Sequence, residues 1–458
     1  VMPRAKVVFI GAGSAVWSST IVVDFILTPS LYGSEIVFVD INEERLNLIY
    51  DFARRYAREY KADYVFRKTT DRREALENAD FVINAALAKG HSYYEVMRQI
   101  SEANGYYRGI NSVEWNMVSD YHTIWGYYQF KLALDIARDV EEKAPDAWLL
   151  QIANPVFELT TLLSRVSKVK VVGLCHGHLG YLDLVKTLGL DPHEVEVETL
   201  GFNHVIWLTK FKYRGEDAYP LIDEWVERKS EDFWRFWREN QWNPFDIQMS
   251  PAAIDMYRVY GLFPIGDTVR GGTWKYHWNL ETKQYWYGPS GGPDSEIGRQ
   301  VYYMYLDMRL NEIKKALANP SRPLADTVEP VKSSESIVPL IDSIVNDRRA
   351  TYQVNILNKD SIPGIPSDVA VEMPAIVDSK GVHRMSFREL PKKIYNLVLR
   401  PRLLRAEWAI EAFLEGGRDF LFEWLIIDPR TKSTEQVNKV IDETLRIPGN
   451  EEMAKHFK

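Results

Sequence analysis

Short apolar runs alternate with amphipathic stretches through the first 200 residues of this 458-residue chain. The runs carry apolar residues at nearly every position, which is typical of strands buried on both faces of a sheet. They predict six strands, at Lys6–Ile10, Ile36–Asp40, Phe81–Ala85, Trp148–Ile152, Val169–Leu174 and Val195–Leu200. A 3.6-residue period between them predicts helices, most clearly at Glu43–Tyr60 and Ile124–Glu142. This alternation predicts an α/β fold with a doubly wound parallel sheet.

The regular alternation ends near residue 205, and a mixed pattern follows. It predicts a helix at Glu296–Ala318, two strands within Thr351–Pro374, and further helices from Leu390 onward. A chain of this length exceeds one ordinary hydrophobic core. We therefore predict a Rossmann-like domain at 1–205 and an α+β domain at 206–458 with a helix-rich C-terminus, an organisation like that of lactate and malate dehydrogenases. The second domain is expected to bind substrate and to mediate oligomerisation.

The first strand runs into a glycine turn that is typical of dinucleotide binding. Gly11 permits a tight turn, Gly13 allows close approach of a phosphate, and Ser14 opens the following helix, whose N-terminus attracts anions. Val16 stands where the third glycine of the usual fingerprint would be. The second strand ends in Asp40, placed to contact the ribose hydroxyls of NAD and to repel the 2′-phosphate of NADP.

Composition and charge narrow the function classes. A formal net charge of −8 and the absence of a basic block argue against a nucleic-acid partner. No apolar stretch is long enough to span a bilayer, and the N-terminal residues lack the apolar core of a signal peptide. We therefore expect a cytoplasmic protein without a membrane partner. The single cysteine, Cys175, excludes an internal disulfide.

Polar residues follow several predicted strands. They lie at the carboxyl ends of these strands, which is where parallel sheets bind their ligands. Asn154 follows one strand, Cys175, His176 and His178 follow the next, and His204 follows the third. A thiolate and an imidazole brought together there could bind a divalent transition ion and leave positions open for substrate oxygens. The alternative is that both side chains are structural.

At these motifs the chain resembles glycoside hydrolase family 4, the NAD- and metal-dependent glycosidases. The resemblance covers most of the length and rests on these segments: Gly11-Ala12-Gly13-Ser14 with Asp40, Thr70–Leu76, Ala79–Asn84, Asn154-Pro155, Cys175-His176-Gly177, Gly201–His204, Val354–Ile356 and Val371–Pro374. It implies that Cys175 and His204 bind the metal, usually Mn²⁺, and that Asn154 contacts the sugar. Asn84, near the end of the third predicted strand, belongs to the expected NAD-binding residues. It also implies a homodimer or homotetramer.

The resemblance implies hydrolysis by a redox route rather than by a pair of carboxylates. NAD⁺ takes hydride from C3 of the sugar, a base removes the acidified C2 proton, and elimination expels the aglycone from C1. Water then adds and the hydride returns. We expect Asp267 to be the base, with Tyr260 as the alternative. His176 either donates a proton or hydrogen bond to the substrate or only positions Cys175.

The residues after Cys175 also bear on the substrate. Family members that act on phosphorylated sugars usually have Asn or Asp there, so His176 favours an unphosphorylated glycoside, and Gly177 resembles the subgroup active on α-uronides. A uronate carboxylate needs a cation, for which Arg270 is the first choice, followed by Lys275 and His178. We therefore expect an α-glucuronidase. The alternatives are a neutral α-glucosidase or α-galactosidase, and an NAD-dependent 2-hydroxyacid dehydrogenase, which would not need the Cys175 and His204 pair.

Overall fold

The computed structural model describes residues 4–108, 126–271 and 274–458, with the backbone alone at residue 274. Its strands join in one continuous sheet. In chain order they are β1 Lys6–Ile10, β2 Glu35–Val39, β3 Val65–Thr69, β4 Phe81–Asn84, β5 Trp148–Gln151, β6 Lys170–Gly173, β7 Val195–Phe202, β8 Val205–Tyr213, β9 Glu216–Asp217, β10 Pro264–Ile265, β11 Ala350–Leu357, β12 Ala370–Asp378 and β13 Gly381–His383.

Helices cover both faces of this sheet and form most of the C-terminal region. They are α1 Ala15–Ile26, α2 Glu43–Tyr60, α3 Arg72–Leu76, α4 His91–Ala103, α5 Tyr127–Lys143, α6 Val156–Val166, α7 Tyr181–Thr187, α8 Tyr219–Arg228, α9 Ser230–Asn240, α10 Pro251–Tyr260, α11 Leu280–Tyr287, α12 Glu296–Ala318, α13 Ile337–Asn346, α14 Lys392–Ile394, α15 Arg400–Glu415, α16 Arg418–Ile426, α17 Thr434–Leu445 and α18 Glu451–His456. Among the described residues, none of these helices combines the length and the apolar character needed to cross a bilayer.

The six N-terminal strands confirm the predicted doubly wound sheet. They run parallel in the order β3-β2-β1-β4-β5-β6, the order of dinucleotide-binding folds. Alternate residues of β1 enter opposite cores, because Val7 and Phe9 pack with α1 and α2 while Val8 and Ile10 pack with α5. Burial on both faces explains the continuous apolar runs of these strands.

The seventh strand does not continue the parallel series. β7 pairs antiparallel with β8 and β12, and the strands β12 and β11 separate it from β6. The prediction that Val195–Leu200 follows Val169–Leu174 in a parallel sheet is therefore wrong. The reason is topological, since two strands from the C-terminal half insert between them and a strand order of that kind depends on contacts distant in sequence.

Strand β3 was missed by the hydrophobic pattern. It is the edge strand next to β2, and its Val65, Arg67 and Lys68 are exposed. Helix α2 and helix α12 match their predicted bounds. The strand pair β11 and β12 begins one residue before and ends four residues after the predicted segment. The turn between β7 and β8 lies at the proposed boundary near residue 205, and the division into 1–205 and 206–458 stays a prediction.

Candidate active site

The turn after β1 forms a cradle in which backbone is closely packed. Gly11 has φ +88°, and a Cβ there would lie 2.7 Å from the backbone of Ala85 and Ala86. The Gly13 amide donates to Asp40 Oδ2 at 2.7 Å, and a Cβ on Gly13 would lie 2.6 Å from the same oxygen. Both glycines are therefore required by their surroundings rather than by turn preference alone.

Helix α1 starts directly beyond this cradle. Ser14 is its N-cap residue but makes no side-chain cap hydrogen bond, so the helix presents backbone N–H groups of its first turn at its positive end. Asn84, at the end of β4, donates to Gln151 at 3.0 Å and accepts from the Ala86 amide at 3.2 Å, which orders the loop facing Gly11. This geometry fits the pyrophosphate and ribose of a dinucleotide, with Asp40 on the ribose side.

Cys175, His204 and Asp267 converge to form a second cluster. Cys175 follows β6, His204 occupies the β7–β8 turn with φ +66°, and Asp267 lies in the 3₁₀ turn Gly266–Arg270. His204 Nε2 lies 3.8 Å from Cys175 Sγ and 3.3 Å from Asp267 Oδ2, and the possible ligand atoms of the three residues all lie within 4.8 Å of one another. His204 is nevertheless not on the strand beside that of Cys175, because the two segments meet across β11 and β12.

A close backbone contact brings Asp267 to the cysteine loop. Gly266 has φ +61°, and a Cβ there would lie 2.3 Å from the carbonyl oxygen of Gly177. Gly266 therefore allows its loop to approach the loop of Gly177 closely. The sequence alone does not reveal this role, because the two glycines lie far apart in the chain.

The protonation of the cluster follows from its burial. Burial raises the pKa of the Cys175 thiol, with the Glu372 and Asp267 carboxylates adding to the effect, and it lowers the pKa of His204 to about 4. Burial opposes ionisation of Asp267 too, but His204 and Arg270 outweigh it and hold its pKa below the usual range. A neutral imidazole, a carboxylate and a thiol form a donor set that fits a divalent transition ion.

His176 presents an exposed ring next to this cluster. Its Nδ1 lies 2.8 Å from Glu335 Oε1, and that hydrogen bond raises the pKa of His176 to about 8. Glu335 is fixed in turn, since its amide donates to Ser333 Oγ at 3.1 Å and the Ser333 amide donates to Asp24 of α1 at 2.7 Å. Glu335 was not recognised in the sequence because it lies 159 residues from its partner.

The predicted substrate residues occupy different environments. Asn154 follows β5, and its Oδ1 is buried without a hydrogen-bond partner among the described residues, which fits an oxygen kept for a sugar hydroxyl. Tyr260 is buried at the end of α10 and packs edge-on against Trp207, with ring centroids 5.4 Å apart. This packing favours a role in the core over the role of base.

Arg270 is buried between two carboxylates. Its Nε donates to Asp294 Oδ2 at 2.9 Å, its Nη2 donates to Asp294 Oδ1, and its Nη1 donates to Asp267 at 3.0 Å. These contacts hold Asp267 in place, and a role in binding a substrate carboxylate stays a prediction. Lys275 pairs with Asp255 at 2.5 Å, and burial lowers the pKa of His178 to about 4, which leaves that ring neutral.

Two family models match this chain along most of its length. The model of family 4 glycosyl hydrolases matches residues 6–190, and the model of the family 4 glycosyl hydrolase C-terminal domain matches residues 199–431. The chain belongs to family 4 of the glycosyl hydrolases. It is therefore a glycoside hydrolase, and the family expected from the sequence is confirmed.

Individual relatives of this family 4 hydrolase differ in substrate. It is 26% identical to an α-galactosidase of Bacillus subtilis, over 95% of each chain, and 24% identical to an α-galacturonidase of Lachnoclostridium phytofermentans, over 96% of this chain and 95% of the other. Its fold resembles that of a 6-phospho-α-glucosidase from gut microorganisms crystallised with NAD and Mn²⁺, with a TM-score of 0.74 at 17% identity and coverage of 97% and 98%.

Proposed function

We propose that this family 4 hydrolase cleaves α-linked glycosides of unphosphorylated sugars, with α-glucuronides as preferred substrates, using NAD⁺ and Mn²⁺. The convergence of Cys175, His204 and Asp267 carries the proposal. This cluster and the glycine cradle are both built on loops that leave the carboxyl ends of parallel strands, β6 and β1 respectively. In open α/β sheets that edge is where ligands bind.

The chain's residues fit both cofactors. Gly11, Gly13, Ser14 and Asp40 would hold the dinucleotide, and Cys175 and His204 would hold the metal. When bound, the cofactors would supply a hydride acceptor and a Lewis acid, and both would make the proton on C2 of the sugar more acidic.

Asp267 is the residue we assign to accept the C2 proton. A base must be ionised before it acts, and the Arg270 guanidinium at 3.0 Å keeps this carboxylate in its ionised form and in a fixed position. Because Asp267 also lies 3.3 Å from His204, it could instead serve as a third metal ligand. Asp267→Asn separates the two roles: loss of the base stops turnover while Mn²⁺ affinity is kept, whereas loss of a ligand weakens Mn²⁺ binding as well.

His176 is the residue we assign to the leaving group. Because Glu335 engages its Nδ1, the opposite nitrogen Nε2 is the one that would meet the glycosidic oxygen. Asn154 Oδ1 would accept a hydrogen bond from a sugar hydroxyl, since it has no other partner in the described part of the chain.

The sugar class rests on two lines of support. The relatives include enzymes for a neutral α-galactoside and for an α-galacturonide, both α-linked and neither phosphorylated by name. His176, rather than Asn or Asp, follows the metal-binding cysteine, which favours unphosphorylated substrates. One observation favours the neutral-sugar alternative, because Arg270, the first-choice partner for a uronate carboxylate, is already engaged by Asp294 and Asp267.

The test is release of 4-nitrophenol from the α-D-glucuronide, α-D-galacturonide, α-D-glucoside and α-D-galactoside in parallel, with NAD⁺, Mn²⁺ and a thiol reductant present and then omitted singly. We expect cleavage of the glucuronide that requires both cofactors. Cleavage of only the neutral glycosides would support the NAD⁺- and Mn²⁺-dependent mechanism but overturn the proposed preference for glucuronides. No cleavage of any of them, with steady NADH formation from a 2-hydroxy acid, would overturn the proposal in favour of a dehydrogenase.

A further inference from the structure

A buried carboxylate lies at the point where the two halves of the sheet meet. Glu372 of β12 pairs with Asn355 of β11 on one side and with Gly201 of β7 on the other, and Asn355 in turn pairs with Gly173 of β6. These four residues therefore form one row across four strands. Cys175 lies two residues beyond Gly173, and Asn203 lies two residues beyond Gly201.

The side chain of Glu372 accepts hydrogen bonds from three amides. Asn203 Nδ2 donates to Oε1 at 3.0 Å, Asn355 Nδ2 donates to Oε1 at 3.3 Å, and Gln353 Nε2 donates to Oε2 at 3.3 Å. Glu372 is 2% exposed, so these donors are the groups that compensate its removal from water. A carboxylate offers only acceptors to three N–H donors, which an amide of the same shape cannot do.

Asn203 connects this carboxylate to the turn that carries the proposed histidine ligand. It is buried in the β7–β8 turn, its Nδ2 donates to Glu372 Oε1 at 3.0 Å, and the next residue in the chain is His204. Through Asn203, Glu372 thus holds the chain immediately before one proposed metal ligand. The other proposed ligand, Cys175, lies two residues beyond Gly173, which belongs to the same row of paired residues as Glu372.

We propose that Glu372 and Asn203 are positioning residues that set the Cys175–His204 pair for metal binding. This inference rests on the proposed function, because it takes these two residues as the metal ligands. Residues that orient metal ligands without binding the metal typically change metal affinity by about 10–100-fold when they are removed. Gln353 provides a matched comparison, since it donates to the same carboxylate but its other hydrogen bond goes to the Thr199 carbonyl oxygen within β7, not to the turn that carries His204.

The sole cysteine of the chain makes the test specific. Alkylation of Cys175 by iodoacetamide is followed by mass spectrometry while Mn²⁺ is titrated, and the Mn²⁺ concentration that gives half-maximal protection is compared among wild type, Glu372→Gln, Asn203→Ala and Gln353→Ala. Thermal unfolding of each variant separately measures how much the substitution changes the stability of the fold. No turnover is required.

We expect Asn203→Ala and Glu372→Gln each to raise the half-protection concentration by about 10-fold or more, and Gln353→Ala to raise it by less than about 3-fold. If Glu372→Gln fails to fold, Asn203→Ala decides the matter. Unchanged half-protection in Asn203→Ala, or an equal rise in Gln353→Ala, would overturn the inference. Absence of Mn²⁺ protection in the wild type would instead count against the proposed metal site itself.

Discussion

The two candidate binding regions are built in different ways. The dinucleotide cradle consists of backbone, with two glycines and a helix start drawn from residues 11–15 and one carboxylate at Asp40. The metal cluster consists of side chains from three segments, with Cys175, His204 and Asp267 spread over 93 positions of the chain. The cradle therefore depends on which residues lack a side chain, and the cluster depends on which side chains are held in place.

This difference has an energetic consequence. At Gly11 of the cradle a single added methyl group meets backbone, so the cost should appear in the stability of the fold. In and around the cluster side chains hold one another, since Arg270 fixes Asp267, Glu372 fixes Asn203 next to His204, and Glu335 fixes His176 next to Cys175. The cost of a change there should therefore appear in binding and rate. Substitutions in the two regions should therefore separate NAD⁺ binding from Mn²⁺ binding.

Cys175→Ser should have the largest effect. Replacing the thiolate donor weakens a Lewis acid that contributes several kcal/mol, so we expect kcat to fall by about 10³-fold. NAD⁺ affinity, measured by fluorescence titration, should stay within about 2-fold of the wild type because the cradle shares no residue with the cluster. A matching loss of NAD⁺ affinity would show that the two regions do not act separately.

Gly11→Ala should destabilise the fold. The left-handed φ and the approach to Ala85 and Ala86 together predict a loss of about 2–4 kcal/mol of unfolding free energy in urea titration. Gly364→Ala is the matched control, since Gly364 has φ +86° but none of the described residues places an atom within 4 Å of its added Cβ. That variant should lose only about 1 kcal/mol. Equal losses of unfolding free energy in the two variants would mean that the close packing around Gly11 adds no cost beyond the strain of the left-handed backbone.

Asp40→Ala should weaken NAD⁺ binding without affecting Mn²⁺. The variant removes the acceptor of the Gly13 amide and the expected ribose contact, and a hydrogen bond to a charged group contributes about 1.5–3 kcal/mol. We expect the NAD⁺ Kd to rise by about 10–100-fold and the preference over NADP⁺ to shrink. Isothermal titration with each cofactor measures both changes. An unchanged preference for NAD⁺ over NADP⁺ would show that Asp40 does not contact the ribose.

Glu335→Ala should have the smallest effect, because it acts on the histidine next to the metal cluster and not on the cluster itself. It frees the His176 ring to turn, and we expect kcat to fall by about 5–10-fold with KM little changed. Glu335→Gln keeps an acceptor for Nδ1 and should stay within about 3-fold of the wild type. Initial rates on one nitrophenyl glycoside give the comparison. Equal losses of kcat in both variants would indicate that the reaction needs the negative charge of Glu335 rather than a fixed orientation of the His176 ring.

The sequence predicts the cradle better than the cluster for physical reasons. Gly11, Gly13 and Asp40 lie next to strands that are buried on both faces, so local pattern locates both the strands and the turn. The resemblance pairs Cys175 with His204, and the two side chains lie 3.8 Å apart, but their meeting depends on β11 and β12, which arrive from residues 350–378. The pattern of apolar residues carries no information on that insertion.

The supporting residues could not be found from the sequence at all. Glu335, Glu372 and Asp294 are acidic residues of ordinary appearance, and only burial together with a specific partner distinguishes them from the other carboxylates of the chain. Arg270 illustrates the reverse case. A loop arginine near a proposed sugar site predicts a substrate contact, whereas the folded chain surrounds it with Asp294 and Asp267.

Hydrolysis in D₂O tests the account most directly, because removal of the C2 proton distinguishes a redox elimination from a direct displacement. With NAD⁺ and Mn²⁺ present, the released sugar should carry deuterium at C2, seen as loss of the H2 signal in its proton NMR spectrum, and Asp267→Asn should release almost no sugar. A sugar that retains its C2 proton, released at the same rate without NAD⁺, would contradict the account.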